Sequence, residues 1–495
     1  MASASTSDEF PPVSEKSGEV VFAGGASWSM IGRSSETKAF DGVPADQMCL
    51  AFHRLNNMRN VPVQAVISGP MANHSIIIAA NGTAYTWGRN EDGQLGTGDT
   101  VNRYNPLPVS IDGVRFKGGA CGLSHSFLIS TGGDLYSTGA NQMYQLGTGR
   151  KDPKLDWSHI KDVHDCVAVG AGRDFSVITN VDGAIFSCGS PMYGQLGNGS
   201  ENKTLEKAGK WTYTCNKRFL PIEALTGVFI KQFACGGNHT AAVDVSGKLW
   251  TWGFGGYGRL GVGNNKDHML PTLVPEFAAE APPKPPGIPD FMWKGRGQVR
   301  RVDFVACGNA CTYAIGTQAK ELYFFGITRM STEATMRPQL VDGVSGWRAT
   351  CVASGQTSTI LAASYDHPTL ITWGGSPTFG ELGYGDDKPK SNTKPDEVGD
   401  LNGATILQCT MGYGHSLAIV KYDKKGKSLL SELKTFSPAE VAALGEITDK
   451  ADKAAERKRK KSEKDEAEEE EEEETEDESE SDEEEAPKKK KKTGK

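Results

Sequence analysis

Three observations predict an all-β fold, a seven-bladed β-propeller closed by its N-terminal strand and followed by a disordered charged C-terminal tail. A two-part signature recurs every ~50 residues, glycine accounts for 59 of the 495 residues, and charge is segregated into residues 424 to 495. A period near 50 residues made of short β-rich runs describes a propeller blade rather than a helical solenoid. Glycine at this level, against an average usage of about 7%, implies many tight turns.

The first part of the signature reads G-x-x-H-S/T. It occurs at residues 71 to 75 with its Gly replaced (Ala72-Asn73-His74-Ser75), then from Gly122 to Ser126, Gly172 to Ser176, Gly236 to Thr240, Gly308 to Thr312, Gly355 to Thr359 and Gly412 to Ser416. The second part is an apolar or aromatic run ending in Gly: Tyr85 to Gly88, Tyr136 to Gly139, Phe186 to Gly189, Trp250 to Gly253, Tyr323 to Gly326 and Ile371 to Gly374. Runs of β-formers bounded by turns such as Asp182-Gly183 fill the intervals, so each unit reads as a few antiparallel strands.

Only six second parts follow a first part. The seventh stands at the other end of the chain, as Val20-Val21-Phe22-Ala23-Gly24. Pairing that strand with the unit begun at Gly412 would hide both free edges of the ring, which sheet proteins must protect. The expected domains are a disordered N-terminus over 1–17, the propeller over 18–423, and a helical then disordered charged tail over 424–495.

After the second part comes a loop with its own rule: Gly93-Gln94-Leu95-Gly96, Tyr144-Gln145-Leu146-Gly147, Gly194-Gln195-Leu196-Gly197, Gly258-Arg259-Leu260-Gly261 and Gly380-Glu381-Leu382-Gly383. The glycines permit positive φ, and the single Leu is expected to pin the turn into the core.

These residues, G-Q-L-G-x-G after an aromatic-Gly strand end and G-x-x-H-S/T before the next strand, resemble the regulator of chromosome condensation repeat family over about residues 18 to 422. Residues 252 to 261 and 376 to 391 resemble one member of that family more closely than the repeat requires. The resemblance implies a propeller without a cofactor that works through its loops on small GTPases of the Rac, Ral or Ran type. It also implies chromatin or histone partners and roles in the nucleus and in mitosis, at the centromere, spindle microtubules and midbody.

The residues themselves argue against covalent or metal catalysis. His74, His125, His239 and His415 share one repeat position that Phe175, Cys311 and Ser358 occupy elsewhere, a replacement no metal ligand set tolerates; each imidazole is expected to bond backbone inside its own blade. Cys121, Cys235 and Cys307 share another position and read as small core residues. Gly253 to Gly258 satisfies G-x-G-x-x-G, but a repeat loop follows it where a helix N-terminus is needed to receive pyrophosphate. No catalytic, cofactor-binding or metal-binding residue is assigned. Guanine-nucleotide exchange needs no such group and stays open. Trp347, in a motif similar to the tryptophan motif of plant ultraviolet-B receptors built on the same repeat, occurs here once and is assigned to core packing.

Two units are overlong, at residues 200 to 232 and 264 to 304. The second carries a Pro-stiffened stretch and then Trp293, Lys294, Arg296, Arg300 and Arg301, the candidate partner-binding residues for an acidic GTPase or nucleosome surface. The alternative is a solvated loop. The body is almost neutral, 36 Lys and Arg against 38 Asp and Glu over residues 1 to 423, so any electrostatic partner surface must be local. No apolar stretch of membrane-spanning length and no signal-peptide pattern occurs, which reads as an intracellular soluble protein.

Past residue 424 the β pattern stops. Ser437-Pro438-Ala439-Glu440 carries the signals of a helix start. Two basic clusters follow, Arg457, Lys458, Arg459, Lys460 and Lys461, then Lys488, Lys489, Lys490, Lys491 and Lys492. They flank an acidic run from Glu463 to Glu485 and read as nuclear-localisation signals for an import receptor. The acidic run is a candidate for meeting histones. Thr475, Ser479 and Ser481, each with an acid three residues on, are candidate phosphorylation sites.

Overall fold

The computed structural model describes residues 17–28, 31, 48–200, 202–205, 211–278, 287, 289, 300–328, 333–377, 379–386, 388–389 and 391–437. Four-stranded antiparallel sheets repeat along the chain. The first comprises Val63–Ile67, His74–Ala79, Ala84–Gly88 and Arg103–Pro108, and the second Phe116–Cys121, His125–Ser130, Leu135–Gly139 and Lys154–His159. The third has Cys166–Ala171, Phe175–Asn180, Ile185–Gly189 and Asn216–Pro221; the fourth Ile230–Cys235, His239–Asp244, Leu249–Gly253 and His268–Leu273. Val302–Cys307, Cys311–Gly316, Leu322–Gly326 and Thr335–Leu340 make the fifth, and Arg348–Ser354, Ser358–Ser364, Pro368–Gly374 and Asn392–Glu397 the sixth.

A composite sheet uses both ends of the chain. Ile406–Met411 pairs with His415–Lys421, and Gly18–Gly25 lies antiparallel to His415–Lys421 from Gly18↔Lys421 to Gly24↔His415. Met48–Leu55 completes the four strands on the far side of Gly18–Gly25. One further pair, Gly18↔Val63, joins this sheet to the first.

The first strand of every sheet lines one axial cavity of about 400 Å³, which places the seven four-stranded groups around a common axis. Second strands, packed on both faces by neighbouring sheets, are buried along all or all but the last residue of their length, as in His74–Ala79 and His239–Asp244. Fourth strands are less buried, with residues partly or fully exposed along most of their length, as in Lys154–His159, except Met48–Leu55, where half the residues are buried. The apolar cores therefore lie between successive sheets: Phe175, Val177 and Ile185 of the third pack against Ala242 and Trp252 of the fourth. Each loop Leu is buried there too, with Leu95, Leu146, Leu196, Leu260 and Leu382 all at 0 or 1% exposure. Gly96 shows why the loop needs glycine: its φ is +67°, and a Cβ would lie 2.3 Å from the Trp157 indole nitrogen.

Past residue 423 the chain stays with the sheets. The compact unit runs to Ser437, because a helix, Lys424–Glu432, follows the last repeat strand with Asp423 capping it through the Gly426 amide at 2.7 Å. Leu429 and Leu430 of this helix enter the core of the composite sheet. Thr435–Phe436 then adds a short parallel strand beside Met48–Leu55, and the Phe436 ring stacks on Phe22. The disordered N-terminus expected over residues 1 to 16 and the helix expected beyond Ser437 lie outside the described residues.

Candidate functional site

Strand direction alternates within each sheet, so the connections sort onto two ends of the ring. One end carries the signature turns and the G-Q-L-G loops. The other carries the hairpins between second and third strands and the crossings to the next sheet. The two insertions therefore fall on opposite ends. Residues 200 to 215, between the third and fourth strands of their sheet, form a hairpin of Lys203–Leu205 and Trp211–Tyr213 at the signature end. The connection from Leu273 to Val302 crosses between sheets and opens at the hairpin end.

The signature end is built from inter-sheet clasps, and the expectation of imidazoles bonding backbone within their own blade is overturned. His74 Nε2 lies 2.7 Å from Ser126 Oγ of the next sheet, His125 Nε2 3.0 Å from Ser176 Oγ, His239 Nε2 3.0 Å from Thr312 Oγ1, and His415 Nε2 2.7 Å from Ser75 Oγ. The hydroxyls of Ser126, Ser176 and Thr312 donate onward to the carbonyls of Gln94, Gln145 and Arg259. This leaves Nε2 of each of those imidazoles as the donor, the tautomer the network requires. The signature Gly is the floor of the clasp: a Cβ at Gly122 would sit 2.3 Å from the His125 ring. Burial drives the His74, His125 and His415 pKa values down to about 3 and that of His239 well below its ordinary value, so all four are neutral. They are structural groups, not acids or bases.

Where the histidine is replaced, the neighbour changes too. Cys311 approaches Ser354 Oγ at 3.6 Å, and Thr359 donates instead to Tyr313 Oη at 3.0 Å. Phe175 offers nothing, and the Thr240 hydroxyl opposite it has no hydrogen-bond partner. Gly256–Gly258, within the G-x-G-x-x-G pattern, is a single 3-10 turn, and a Cβ at Gly255 would collide with the Lys266 carbonyl at 1.8 Å. Among the described residues, no three His, Cys, Asp or Glu side chains are grouped to hold a metal, and no helix is long and apolar enough to cross a membrane. Trp347 is partly buried against the core between the fifth and sixth sheets, with Tyr365 beside it.

Of the candidate partner residues, Trp293, Lys294 and Arg296 lie outside the described residues, as do both nuclear-localisation clusters and the three phosphorylation candidates. Arg300 and Arg301 are exposed at the hairpin end, where the chain enters the fifth sheet. The Arg300 guanidinium lies 5.5 Å from the Tyr323 ring centre. The Arg301 carbonyl accepts the Thr317 amide at 2.9 Å, tying its backbone to the neighbouring hairpin. Two residues later Asp303 pairs with both Lys231 and Lys320, which hold its carboxyl below the usual carboxylate range.

Arg300, Arg301, Lys231 and Lys320 thus bring four cations to the start of the fifth sheet, where Lys231 and Lys320 share Asp303 and Arg300 lies over Tyr323, whose hydroxyl donates to Glu321 at 2.9 Å. Sequence reading found the two arginines through the overlong connection. It missed Asp303 and Lys320, from the first strand and the hairpin of the fifth sheet, and Lys231 from the first strand of the fourth; strand pairing within one sheet and adjacency of two sheets unite them. Such a patch attracts and orients an acidic surface without needing burial.

A ring of repeated sheets clasped through G-x-x-H-S/T turns defines a propeller of the chromosome-condensation type, and the chain belongs to the RCC1-like domain family, whose profile matches residues 2–284. It is 36% identical over 445 residues to Protein RCC2 homolog of Danio rerio, covering 85% of this chain and 84% of that one. With Protein RCC2 of Homo sapiens the identity is 35% over 446 residues, covering 85% and 80%. Among solved structures, Prp20p from Saccharomyces cerevisiae, a protein described together with its binding properties to Gsp1p and histones, superposes with a TM-score of 0.62 at 16% identity, over 85% of this chain and 95% of that one. The same yeast protein bound to Kap60 gives a TM-score of 0.59 at 16% identity, over 85% and 93%.

Proposed function

We propose that the chain is a propeller interaction protein that regulates small GTPases and serves chromosome and spindle function in the nucleus and in mitosis. The observation that carries this reading is the similarity to Protein RCC2 over 85% of the chain. The cations Arg300, Arg301, Lys231 and Lys320 on a rigid ring are the surface offered to the partner, and Trp293, Lys294 and Arg296, earlier in the same sequence connection, are further candidates. Rac, Ral and Ran types are the GTPases to test. Import through the clusters Arg457 to Lys461 and Lys488 to Lys492 fits the relative that binds Kap60.

A second reading is guanine-nucleotide exchange on a Ran-like GTPase, or histone binding through the acidic run 463 to 485. The binding properties of Prp20p to Gsp1p and histones favour it. The deciding experiment mixes the full chain with Ran, Rac, Ral and Arf GTPases loaded with fluorescent GDP and scores binding and release together. Binding without release supports a regulatory scaffold, accelerated release supports exchange, and binding to none overturns the GTPase reading. A variant lacking residues 438 to 495 separates histone binding from GTPase binding.

A further inference from the structure

Five cysteines, Cys121, Cys235, Cys307, Cys351 and Cys409, line the axial cavity, whose wall among the described residues contains no Asp, Glu, His, Lys or Arg. The first three sit at the repeat position before the signature glycine, and the sulfurs of Cys121 and Cys307 turn to main-chain carbonyls of the preceding sheet, Ile67 at 3.7 Å and Ala234 at 3.4 Å. Cys351 and Cys409 do not share that position, which Ser354 and Met411 hold in their sheets. Repeat packing therefore does not account for them. They stand on adjacent first strands with their Sγ atoms 3.6 Å apart, each thiol also lying against the other residue's carbonyl, at 3.6 and 3.7 Å.

We propose that Cys351 and Cys409 are a peroxide-responsive thiol pair whose disulfide staples the sixth sheet to the composite sheet. The chemistry balances with hydrogen peroxide as oxidant. The Cys351 thiolate attacks one peroxide oxygen, the O–O bond breaks, and Cys351 sulfenic acid forms with release of hydroxide. The Cys409 sulfur then attacks the Cys351 sulfur, the S–O bond breaks, and the departing hydroxide leaves as water with the Cys409 proton. Two thiols lose two electrons and one peroxide becomes two waters.

The order of attack follows from the environment. Cys409 is buried at 3% exposure while Cys351 is partly open. The Cys409 thiol donates toward the Cys351 sulfur, which draws the Cys351 pKa down and pushes that of Cys409 up. The thiolate is the nucleophile in such reactions, so the more open, more acidic Cys351 reacts first. The bond would close a loop of 58 residues between the first strand of the sixth sheet and the first strand of the composite sheet. Restricting the unfolded chain there raises the melting temperature.

The test uses the reduced full chain treated with hydrogen peroxide, the remaining thiols alkylated, and peptides mapped without reduction. The proposal expects one linked peptide joining Cys351 to Cys409, with a melting temperature higher by about 2–5 °C that returns to its starting value with dithiothreitol. In Cys409→Ala the expectation is a dimedone-trapped sulfenic acid on Cys351 and no thermal shift. Recovery of both thiols alkylated after peroxide, linkage of other cysteine pairs at the same rate, or equal dimedone labelling of the other cavity cysteines in Cys409→Ala would each overturn it.

Discussion

Glu19 and Arg54 form a two-pronged ion pair inside the composite sheet, Arg54 Nε to Glu19 Oε1 at 2.5 Å and Nη2 to Oε2 at 2.9 Å. Glu19 is 1% and Arg54 9% exposed. Glu19 Oε2 also accepts from Tyr422 Oη at 3.0 Å and from the Asn60 amide at 3.1 Å. One carboxylate on the N-terminal strand thus gathers the strand beside it, the turn beyond that strand and the residue following the C-terminal repeat strand. The closure of the ring is chemically specific as well as hydrogen-bonded.

Truncating one member of this pair strands a buried charge, so Glu19→Ala should cost about 3–5 kcal/mol of stability. Replacing both with apolar residues, Glu19→Leu with Arg54→Leu, should recover part of that loss. Urea unfolding of the two single variants and the double variant measures it; additive losses would show that the two side chains act independently.

The clasps predict an asymmetry between two threonines at the same repeat position. Thr312 accepts from His239 and donates to the Arg259 carbonyl, so Thr312→Val should cost about 1–2 kcal/mol. The Thr240 hydroxyl is buried with no partner, only the weak thiol of Cys235 beside it, so Thr240→Val should be neutral or stabilising by up to about 1 kcal/mol. Equal losses at the two sites would refute the assignment of the clasps.

Acid should loosen the ring in a defined window. With folded pKa values of about 3 for His74, His125 and His415 against about 6.5 in the unfolded chain, the unfolded state binds more protons between those limits. Stability is therefore complete above pH ~6.5 and falls as pH drops toward 3, by up to about 1.4 kcal/mol per unit for each buried histidine. Denaturation midpoints from pH 8 to 4 give the slope. His125→Phe, the side chain present at Phe175, should lose about 1 kcal/mol at neutral pH and reduce the slope by one proton.

Charge at the hairpin end should govern partner binding with little effect on folding. Arg300→Glu with Arg301→Glu should weaken capture of an acidic partner by at least tenfold at low salt, whereas Asp303→Asn, which frees Lys231 and Lys320, should strengthen it. Both should alter stability by no more than about 1 kcal/mol, since these side chains are substantially exposed. Binding measured from 50 to 300 mM salt separates this from a solvated loop, for which neither variant would move the affinity.

The β class, the strand positions, the burial of Leu95 and its counterparts, and the N-terminal strand as the missing seventh second part were all legible in residue order. Each rests on a pattern a few residues long, repeated: a turn needing glycine, a run of β-formers, one Leu aimed inward. Partners across sheets were not legible. Which hydroxyl His74 reaches and that Lys231 meets Asp303 depend on neighbouring sheets packing around an axis, and that Arg54 meets Glu19 and Lys320 meets Asp303 depends on strand pairing between residues distant in sequence; no local periodicity encodes either. How residues 424 to 436 sit was not legible for the same reason, since their helix and short strand carry no repeat signature and are held by Leu429, Leu430 and Phe436 packing on residues that the rest of the ring brings there. Local spacing suffices to specify a blade; the grouping of charges into a surface and of thiols into a pair is set by the long-range packing of one blade on the next.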